Sequence, residues 1–280
     1  MSLYPPAARL GNENIILRAR ARRHAVREFP GPLSIKSVVE GTVRWRTDGR
    51  EIAVDDGSFL ILNDGQPYSM DINSAKPVET CCVFFERGFV EDIHGALRAP
   101  AWDDSPSRQF EFPTGLHAGD DRILPRLRAI SRARSPLWME EQFTLLARDL
   151  LMLQDDIRRL VSRLPAARAS TRAEVFRRLS RGREFLHANA DRVITLDQIA
   201  RAACLSTYHF HRLFRQAFGE SPHDYLTRIR LERARRLLLS DERPVIEICE
   251  EVGFASLGSF HALFRRKFGV TPGTFRAGAK

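Results

Sequence analysis

The sequence predicts an α+β protein of two domains, with a β-barrel in the N-terminal half of the chain and helices in the C-terminal half. Three observations support this: the length, a change of local pattern near residue 120, and an internal repeat near the end. A chain of 280 residues suits two domains better than one small core. We expect a β-barrel over 1–118, a helical dimerisation or packing segment over 119–164, a linker over 165–171 and an all-α domain over 172–280.

The front half contains six short runs rich in β-branched and aromatic residues, separated by turn-forming dipeptides such as Asp48-Gly49. The runs cover 33–39, 42–47, 50–54, 58–62, 68–72 and 78–85. Such spacing predicts hairpins in a compact all-β barrel or sandwich. Leucines at helical spacing then predict helices over 121–131 and 137–164. The second leucine stripe suits either the core of the same chain or the matching helix of a second subunit.

An internal repeat with an offset of 50 residues aligns 210–222 with 260–272. Each copy has the pattern of a helix, a short turn and a second helix. The predicted N-caps are Thr195, Ser206 and Ser256, and the predicted helix-ending glycines are Gly219 and Gly269. An amphipathic helix over 223–239 links the copies, which predicts two helix-turn-helix units in one domain.

The two predicted turns differ at one position. The second turn holds Gly253, which adopts a positive φ at little cost, whereas the first turn holds Cys204. The first turn must therefore tolerate a less permissive residue.

Basic charge is concentrated in the same region as the repeat. Residues 171–280 hold 20 Lys and Arg against 12 Asp and Glu, whereas residues 1–170 hold 24 against 23. An excess confined to one compact module is typical of proteins that bind a polyanion. On charge alone, a merely solvated basic surface stays open as the alternative.

With these features combined, residues 172–280 resemble the DNA-binding domain of the AraC/XylS family of bacterial regulators. The resemblance rests on the two units, the linking helix and the ending over 268–276. It implies a sequence-specific transcriptional regulator, more often an activator, that engages two successive major grooves of promoter DNA. It also implies a homodimer, contact with RNA polymerase if the protein is an activator, and no enzymatic activity.

The resemblance places base contacts on the outward positions of each recognition helix. The predicted base contacts are Tyr208, His211, Arg212, Leu257, Gly258 and His261. The predicted phosphate contacts are Ser206, Thr207, Arg215, Ser256, Arg265, Arg266 and Lys267. Arg212 can make two hydrogen bonds to a guanine, and the alternatives are a phosphate contact or a merely exposed charge. For Tyr208 the alternative is a partly buried packing role.

The second recognition helix departs from the family pattern, since Ala262 stands where the family commonly has an arginine. Leucine and alanine can touch a thymine methyl group but donate no hydrogen bond. We therefore expect the first unit to specify the sequence and the second unit mainly to anchor the protein.

The segment 57–68 resembles the second cupin motif, Gly-x5-Pro-x-Gly-x2-His, and implies a cupin-like sensor barrel for a small effector. Tyr68 stands where the motif has its metal-binding histidine, and no His-x-His precedes it. We therefore expect no metal and no cofactor. The adjacent Cys81 and Cys82 suit structural packing better than a redox sensor. No residue set identifies the effector pocket.

Composition narrows the class of protein further. No run of 18 apolar residues predicts a membrane span, and the first residues lack a secretory signal pattern. Four cysteines without metal-ligand spacing indicate a reduced cytoplasm. Two alternatives stay open: a regulator controlled by abundance or a protein partner, and a cupin-like enzyme with a DNA-binding appendage. The enzyme would need metal ligands or a Ser/Cys–His pair in the front half, and neither is evident.

Overall fold

The computed structural model describes residues 9–98, 111–132, 135–166 and 168–278. The chain divides into two compact units, 1–159 and 160–280. The domain boundaries expected from the sequence stay predictions. Residue 167 of the expected linker lies outside the described residues.

The first unit is built on antiparallel strands that form a nearly closed barrel, in the order β4-β3-β6-β2-β5-β7 with β1 paired to β6. The strands are β1 (Ile15–Pro30), β2 (Ser34–Glu40), β3 (Thr42–Thr47), β4 (Arg50–Asp55), β5 (Ser58–Leu62), β6 (Pro67–Phe84) and β7 (Gly115–Ala118). The long β6 is central, because β1 pairs along one of its edges while β3 and then β2 pair along the other. This division of one edge between two strands curves the sheet.

Alternation of side chains along the strands places apolar residues on both faces of the barrel wall. We call the set facing the inside the interior cluster: Val38, Val43, Trp45, Ile52, Val54, Leu60, Leu62, Tyr68, Met70, Ile72, Val78, Cys82, Phe84 and Leu116. The opposite face packs against helices α1 (Phe89–Arg98), α2 (Ile123–Arg132) and α3 (Pro136–Ser162). Cys81 contributes to this outer core, and the neighbouring Cys82 contributes to the interior cluster.

Several elements differ from the sequence prediction. The expected strands over 68–72 and 78–85 are one continuous strand, and an irregular register near Arg22 of β1 absorbs the residues between them. The sequence did not predict β1, β7 or α1. In β1, arginines alternate with small side chains such as Ala19 and Ala21, so the apolar signal of its inward face is weak.

The two helices expected after the barrel are both present as α2 and α3. Much of the leucine stripe of α3 faces inward, since Leu146 and Leu150 are fully buried in the outer core. The residues of α3 that stay exposed and apolar are Leu137 and Met152. Within the described part of the chain, no helix is long and apolar enough to cross a membrane.

The second unit is helical and confirms two helix-turn-helix units joined by a linking helix. Its helices are α4 (Ala169–Ala188), α5 (Leu196–Ala202), α6 (Thr207–Phe218), α7 (Pro222–Ser240), α8 (Val245–Glu251), α9 (Leu257–Phe268) and α10 (Pro272–Ala277). The first unit of the repeat is α5–α6, the second is α8–α9, and α7 links them.

The repeat is a repeat of aromatic cores. In the first copy, the ring of Phe214 lies 4.6 Å from Phe218 and 5.5 Å from Tyr225. The equivalent contacts of Phe264 in the second copy measure 4.5 Å and 5.7 Å. The spacing of 50 residues in the sequence therefore reproduces the same packing around each recognition helix.

Candidate nucleic-acid interface and sensor barrel

Helix α5 is fixed at its start by a capping box. The hydroxyl of Thr195 accepts a hydrogen bond from the backbone N–H of Gln198, whose side chain accepts one from the N–H of Thr195 at 2.8 Å. This confirms Thr195 as the predicted N-cap. The turn after α5 holds Cys204 at a φ of 51°, and the equivalent Gly253 has a φ of 93°. The first turn thus uses the left-handed conformation without a glycine.

Helix α6 is bounded by the predicted residues at both ends. Ser206 caps its start, and Gly219, at a φ of 77°, ends it. The side chains of Phe210 and Phe214 are fully buried, so the opposite face of the helix points outward. That face carries Tyr208, whose side chain is 72% exposed, and this excludes the partly buried packing role.

Three outward residues of α6 follow one another at helical spacing: Tyr208, Arg212 and Arg215. Within the described residues, neither guanidinium makes an ion pair or hydrogen bond to another side chain. Arginines elsewhere are commonly paired, as in Arg228 with Glu220 at 2.8 Å. The two free guanidinium groups can therefore bind bases or phosphates without losing an internal partner. His211 lies beside this row and is also exposed.

Helix α9 is capped and terminated like α6, but its outward side chains differ from those of α6. Ser256 caps its start and Gly269 ends it at a φ of 81°. The positions equivalent to Tyr208 and Arg212 hold Gly258 and Ala262, so the centre of the outward face has almost no side chain. Leu257, on its edge, is 36% exposed. His261 is half-buried, and its Nε2 atom is enclosed without a hydrogen-bond partner in the described residues.

The basic residues of α9 lie in its last turn. Arg265 and Arg266 are exposed, which suits phosphate contacts. Lys267 instead forms an ion pair with Glu232 of α7, at 2.9 Å. Burial alone would raise the pKa of Glu232, but the ion pair with Lys267 and nearby arginines hold it below its usual range. A phosphate at Lys267 would have to compete with this carboxylate.

The linking helix α7 is tied to the end of α4 by arginines. Arg230 donates to the backbone carbonyls of Ala190 and Arg192, both at 2.7 Å, and Arg233 donates to that of His187 at 2.9 Å. The buried hydroxyl of Tyr225 lies 2.9 Å from Nε2 of His187. These arginines stabilise the spacer between the two recognition helices.

Sequence reasoning missed His209. Its ring is exposed at the start of α6, with Nδ1 at 3.0 Å from the Ser206 hydroxyl and the Tyr208 ring 5.7 Å away. The hydroxyls of Ser206 and Ser256 act as helix caps, so their predicted phosphate contacts and that of Thr207 stay predictions. A polar residue three positions after a predicted N-cap, in the first turn of the helix, is the signal that could have identified His209.

In the first unit, the cupin-like segment forms the turn between β5 and β6, with Gly65 at a φ of 73° and Tyr68 at the start of β6. The Tyr68 hydroxyl points into the barrel, where it accepts a hydrogen bond from Nζ of Lys36 at 3.1 Å. Lys36 is 1% exposed, and its Nζ also lies 3.9 Å from the centre of the Phe84 ring. Burial lowers the pKa of Lys36 to about 8 and raises that of Tyr68 well above its usual range.

The sequence reasoning also missed Lys36. The signal was present: β2 reads Ser34-Ile35-Lys36-Ser37-Val38, so a lysine stands at an inward position of a strand buried on both faces. Among the described residues, no group of three or more His, Cys, Asp or Glu could hold a metal ion. Both adjacent thiols are buried, and burial raises the pKa of Cys81 to about 12. Such thiols are unreactive and suit packing.

A small cavity of about 80 Å³ lies on the barrel surface, beside the ion pair of Arg87 with Asp64 at 3.1 Å. Half of its lining residues are carboxylates, including Glu86, Glu91 and Glu111. Its volume is well below that of ordinary ligand pockets, which begin near 300 Å³.

A β-barrel followed by two helix-turn-helix units with exposed basic residues defines a DNA-binding regulator with a sensor domain. Residues 15–133 match the family described as the AraC-like ligand binding domain, and residues 199–278 match a helix-turn-helix domain family. The transcriptional activator NphR of Rhodococcus sp is 30% identical over 267 residues, which cover 92% of this chain and 76% of NphR. This chain belongs to the AraC family of transcriptional regulators.

Other similar proteins match a shorter part of the chain. The RCS-specific HTH-type transcriptional activator RclR of Escherichia coli is 42% identical over 82 residues, which cover 29% of each chain. The DNA-binding domain of AdpA, solved with a target DNA, shares 28% identity, with a TM-score of 0.35, over 36% of this chain and 90% of that one.

Proposed function

We propose that this regulator reads its operator mainly through α6 and uses α9 chiefly as an anchor. The observation that supports this is the difference between the two outward faces. Helix α6 presents Tyr208 and Arg212 where α9 presents Gly258 and Ala262. A base is specified by hydrogen bonds and close apolar contacts at its edge, and a bare helix face offers few of either.

The chemistry of α6 favours a guanine in its half-site. Arg212 is exposed and unpaired within the described residues, so its planar guanidinium can donate two hydrogen bonds to guanine O6 and N7. Such a contact is worth about 1–3 kcal/mol of discrimination against other bases. Tyr208 and His211 flank it and can contact the neighbouring bases. On α9, Leu257 and His261 remain as side chains able to touch a base.

Binding-site selection from random duplexes tests this division. In the Arg212→Ala variant, we expect the base preference to weaken at one or two positions of one half-site while affinity for random DNA changes little. In the Arg266→Ala variant, we expect all sequences to bind more weakly and the slope of log K against log salt to shrink by about 1. Lys76→Ala, an exposed lysine of β6, serves as a control outside the interface.

Three results would contradict the proposal. Equally sharp preferences in both half-sites of the unmodified protein would mean that α9 reads bases as well as α6. A uniform loss of affinity in Arg212→Ala, with the selected motif unchanged, would make Arg212 a phosphate contact. Recovery of random fragments with no enriched motif would reject sequence-specific reading altogether.

We further propose that the protein activates transcription in contact with RNA polymerase and that a small effector bound in the barrel modulates it. The names of NphR and RclR, both activators, support the direction of regulation. A purified transcription assay on a selected promoter tests it, and reduced transcript on adding the protein would reverse the assignment.

A second candidate is a regulator without a small ligand, and the interior cluster favours it, because these side chains occupy the inside of the barrel. The buried pair of Lys36 and Tyr68 inside the same barrel instead favours regulation by a small effector. The two candidates differ in whether the isolated protein binds any small molecule at that place.

A further inference from the structure

Lys36 stands out because its charge is buried with little compensation. The side chain is 1% exposed, and a buried ammonium loses its hydration unless hydrogen bonds or opposite charges replace it. An ammonium carries three N–H donors. In the described residues its ammonium makes one hydrogen bond to the Tyr68 hydroxyl at 3.1 Å and lies over the rings of Tyr68 and Phe84 at 4.2 Å and 3.9 Å. It also interacts electrostatically with the buried Cys82 thiol. No carboxylate in this part of the chain pairs with it.

A second polar group lies in the same neighbourhood. Ser34 is two residues before Lys36 on β2, so both side chains point to the same face of the strand. The Ser34 hydroxyl is fully buried and has no hydrogen-bond partner in the described residues. Its cross-strand partner is Phe84, the residue whose ring lies under the Lys36 ammonium. A buried hydroxyl without a hydrogen-bond partner is rare in folded proteins. The Ser34 hydroxyl is therefore available to bond to a molecule that enters the barrel.

These polar groups also occupy the part of the barrel where the sequence resembles a metal-binding cupin. Tyr68 stands in place of the motif's histidine, and the Lys36 ammonium lies against it. The buried cation of this chain therefore contacts the side chain that replaces the motif's metal-binding histidine. The surrounding side chains, including Trp45, Leu60 and Leu62, are apolar.

We propose that Lys36, Ser34 and Tyr68 form the binding site for the effector, and that this effector is a small carboxylate with an apolar body. The anion would pair with the ammonium and accept a hydrogen bond from the Ser34 hydroxyl, and its body would lie among the interior cluster. This inference rests on the proposed effector-modulated function.

Strand β1 covers part of the interior cluster. Its inward residues Leu17, Val26 and Phe29 are only partly buried where they pack on the interior cluster. The Phe29 ring meets the Tyr68 ring edge-on, at 5.9 Å. An entering anion would displace these side chains and move β1. Binding of the anion would in this way change the conformation of the barrel.

Calorimetric titration of the full chain with matched pairs of acids and amides tests the site. The probes are benzoate, 4-hydroxybenzoate and octanoate against benzamide, 4-hydroxybenzamide and octanamide. We expect at least one acid to bind tenfold or more tightly than its amide. At pH 8.5 we expect binding to take up protons, measured from buffers of different ionisation enthalpy, because an anion favours the charged ammonium.

Variants locate the effect within the barrel. Lys36→Met should reduce acid binding a hundredfold or more, and Ser34→Ala should reduce it several-fold without disturbing the fold. Lys76→Met removes an exposed lysine of the same domain and should leave binding unchanged. The proposal is overturned if no acid binds more tightly than its amide, including the case in which neither binds, or if Lys36→Met binds acids as the unmodified protein does.

Operator binding measured in parallel separates the two proposals. Lys36→Met without ligand should bind its operator normally. Tight acid binding with no change in operator affinity or transcription would support the site and reject the effector-modulated function. Loss of operator binding in the unmodified protein would reject the DNA-binding proposal and leave the titration result standing.

Discussion

Cys204 occupies a backbone conformation that L-residues rarely adopt. Its φ of 51° lies in the left-handed region, where a Cβ costs roughly 1–2 kcal/mol relative to glycine. The turn tolerates this because the backbone N–H of Leu205 donates to the carbonyl of Ala200 at 3.0 Å, and Arg178 donates to the Cys204 carbonyl at 3.3 Å. The first unit thus holds a strained turn that the second avoids with Gly253.

Replacing Cys204 with glycine should stabilise the protein. Glycine removes the strain of the left-handed conformation, but part of this gain is lost because glycine has greater freedom in the unfolded chain. We therefore expect the free energy of unfolding to increase by about 1 kcal/mol. Denaturant unfolding of the full chain measures it. Gly253→Ala is the matched control and should destabilise, because its Cβ would lie 2.6 Å from the Ala190 carbonyl oxygen. A less stable Cys204→Gly variant would contradict this account.

Lys36 should make stability depend on pH in an unusual direction. Burial lowers its pKa in the folded protein to about 8 from 10.5. Between these values the unfolded chain holds a proton that the folded chain lacks, so stability rises with pH. Below pH 8 both states are charged and the folded state bears the full cost of burial, roughly 3 kcal/mol from a shift of this size.

The comparison of Lys36→Met with the unmodified protein isolates this effect. At pH 7 we expect the variant to be more stable by up to about 3 kcal/mol, and by pH 10 most of that advantage should be gone. Denaturant unfolding at both pH values measures the difference, in which titrating groups that do not interact with Lys36 cancel. The Cys82 thiol is the exception, because it interacts electrostatically with Lys36. An advantage that grows with pH, or a variant less stable than the unmodified protein at pH 7, would show that the ammonium is not buried as described.

At the scale of elements, Gly182 decides how closely α4 approaches α6. An added Cβ at this position would lie 2.4 Å from the Phe210 ring. Gly182→Ala should therefore overpack the helix contact and destabilise by about 1–3 kcal/mol, measured by denaturant unfolding. Gly258→Ala in α9 is the matched control, since the nearest atom to its Cβ is the Ser256 hydroxyl at 3.9 Å. That change should leave stability equal or raise it by up to about 1 kcal/mol. Equal losses in both variants would contradict a steric role for Gly182.

The sequence predicts elements well where local signals and packing agree. Both caps and both terminal glycines of the recognition helices are where the repeat places them, because capping depends on a few neighbouring residues. Strand β1 escapes prediction since its stability comes from pairing with β6, distant in sequence, and its outward arginines hide the pattern. Lys36 escapes for the same reason: only the closed barrel shows that its neighbours are Tyr68 and Phe84.

At the scale of the whole molecule, the homodimer expected from the family resemblance has to use a surface that the fold leaves open. The leucines that the sequence places at helical spacing lie on two sides of α3 in the structure. Leu146 and Leu150 face the outer core and are not available to a partner. The residues left for a partner lie on the other side of α3, where Leu137 is 77% and Met152 is 45% exposed. Leu145, seven residues before Met152, is half-buried on the same side. Because charged residues such as Arg148 share this face, a dimer through it would be moderate in affinity rather than obligate.

Met152→Asp should then weaken self-association without unfolding the chain, because it places a charge in the centre of the proposed contact and none in the core. Sedimentation velocity over a range of micromolar concentrations measures it, and we expect the unmodified protein to shift towards twice the chain mass before the variant does. Leu239→Asp, at an exposed leucine of α7, controls for the loss of any exposed apolar group. If the unmodified chain stays a monomer throughout, the homodimer is wrong and the two recognition helices of one chain must account for all operator affinity. If Leu239→Asp weakens association as strongly as Met152→Asp, the contact does not lie on α3.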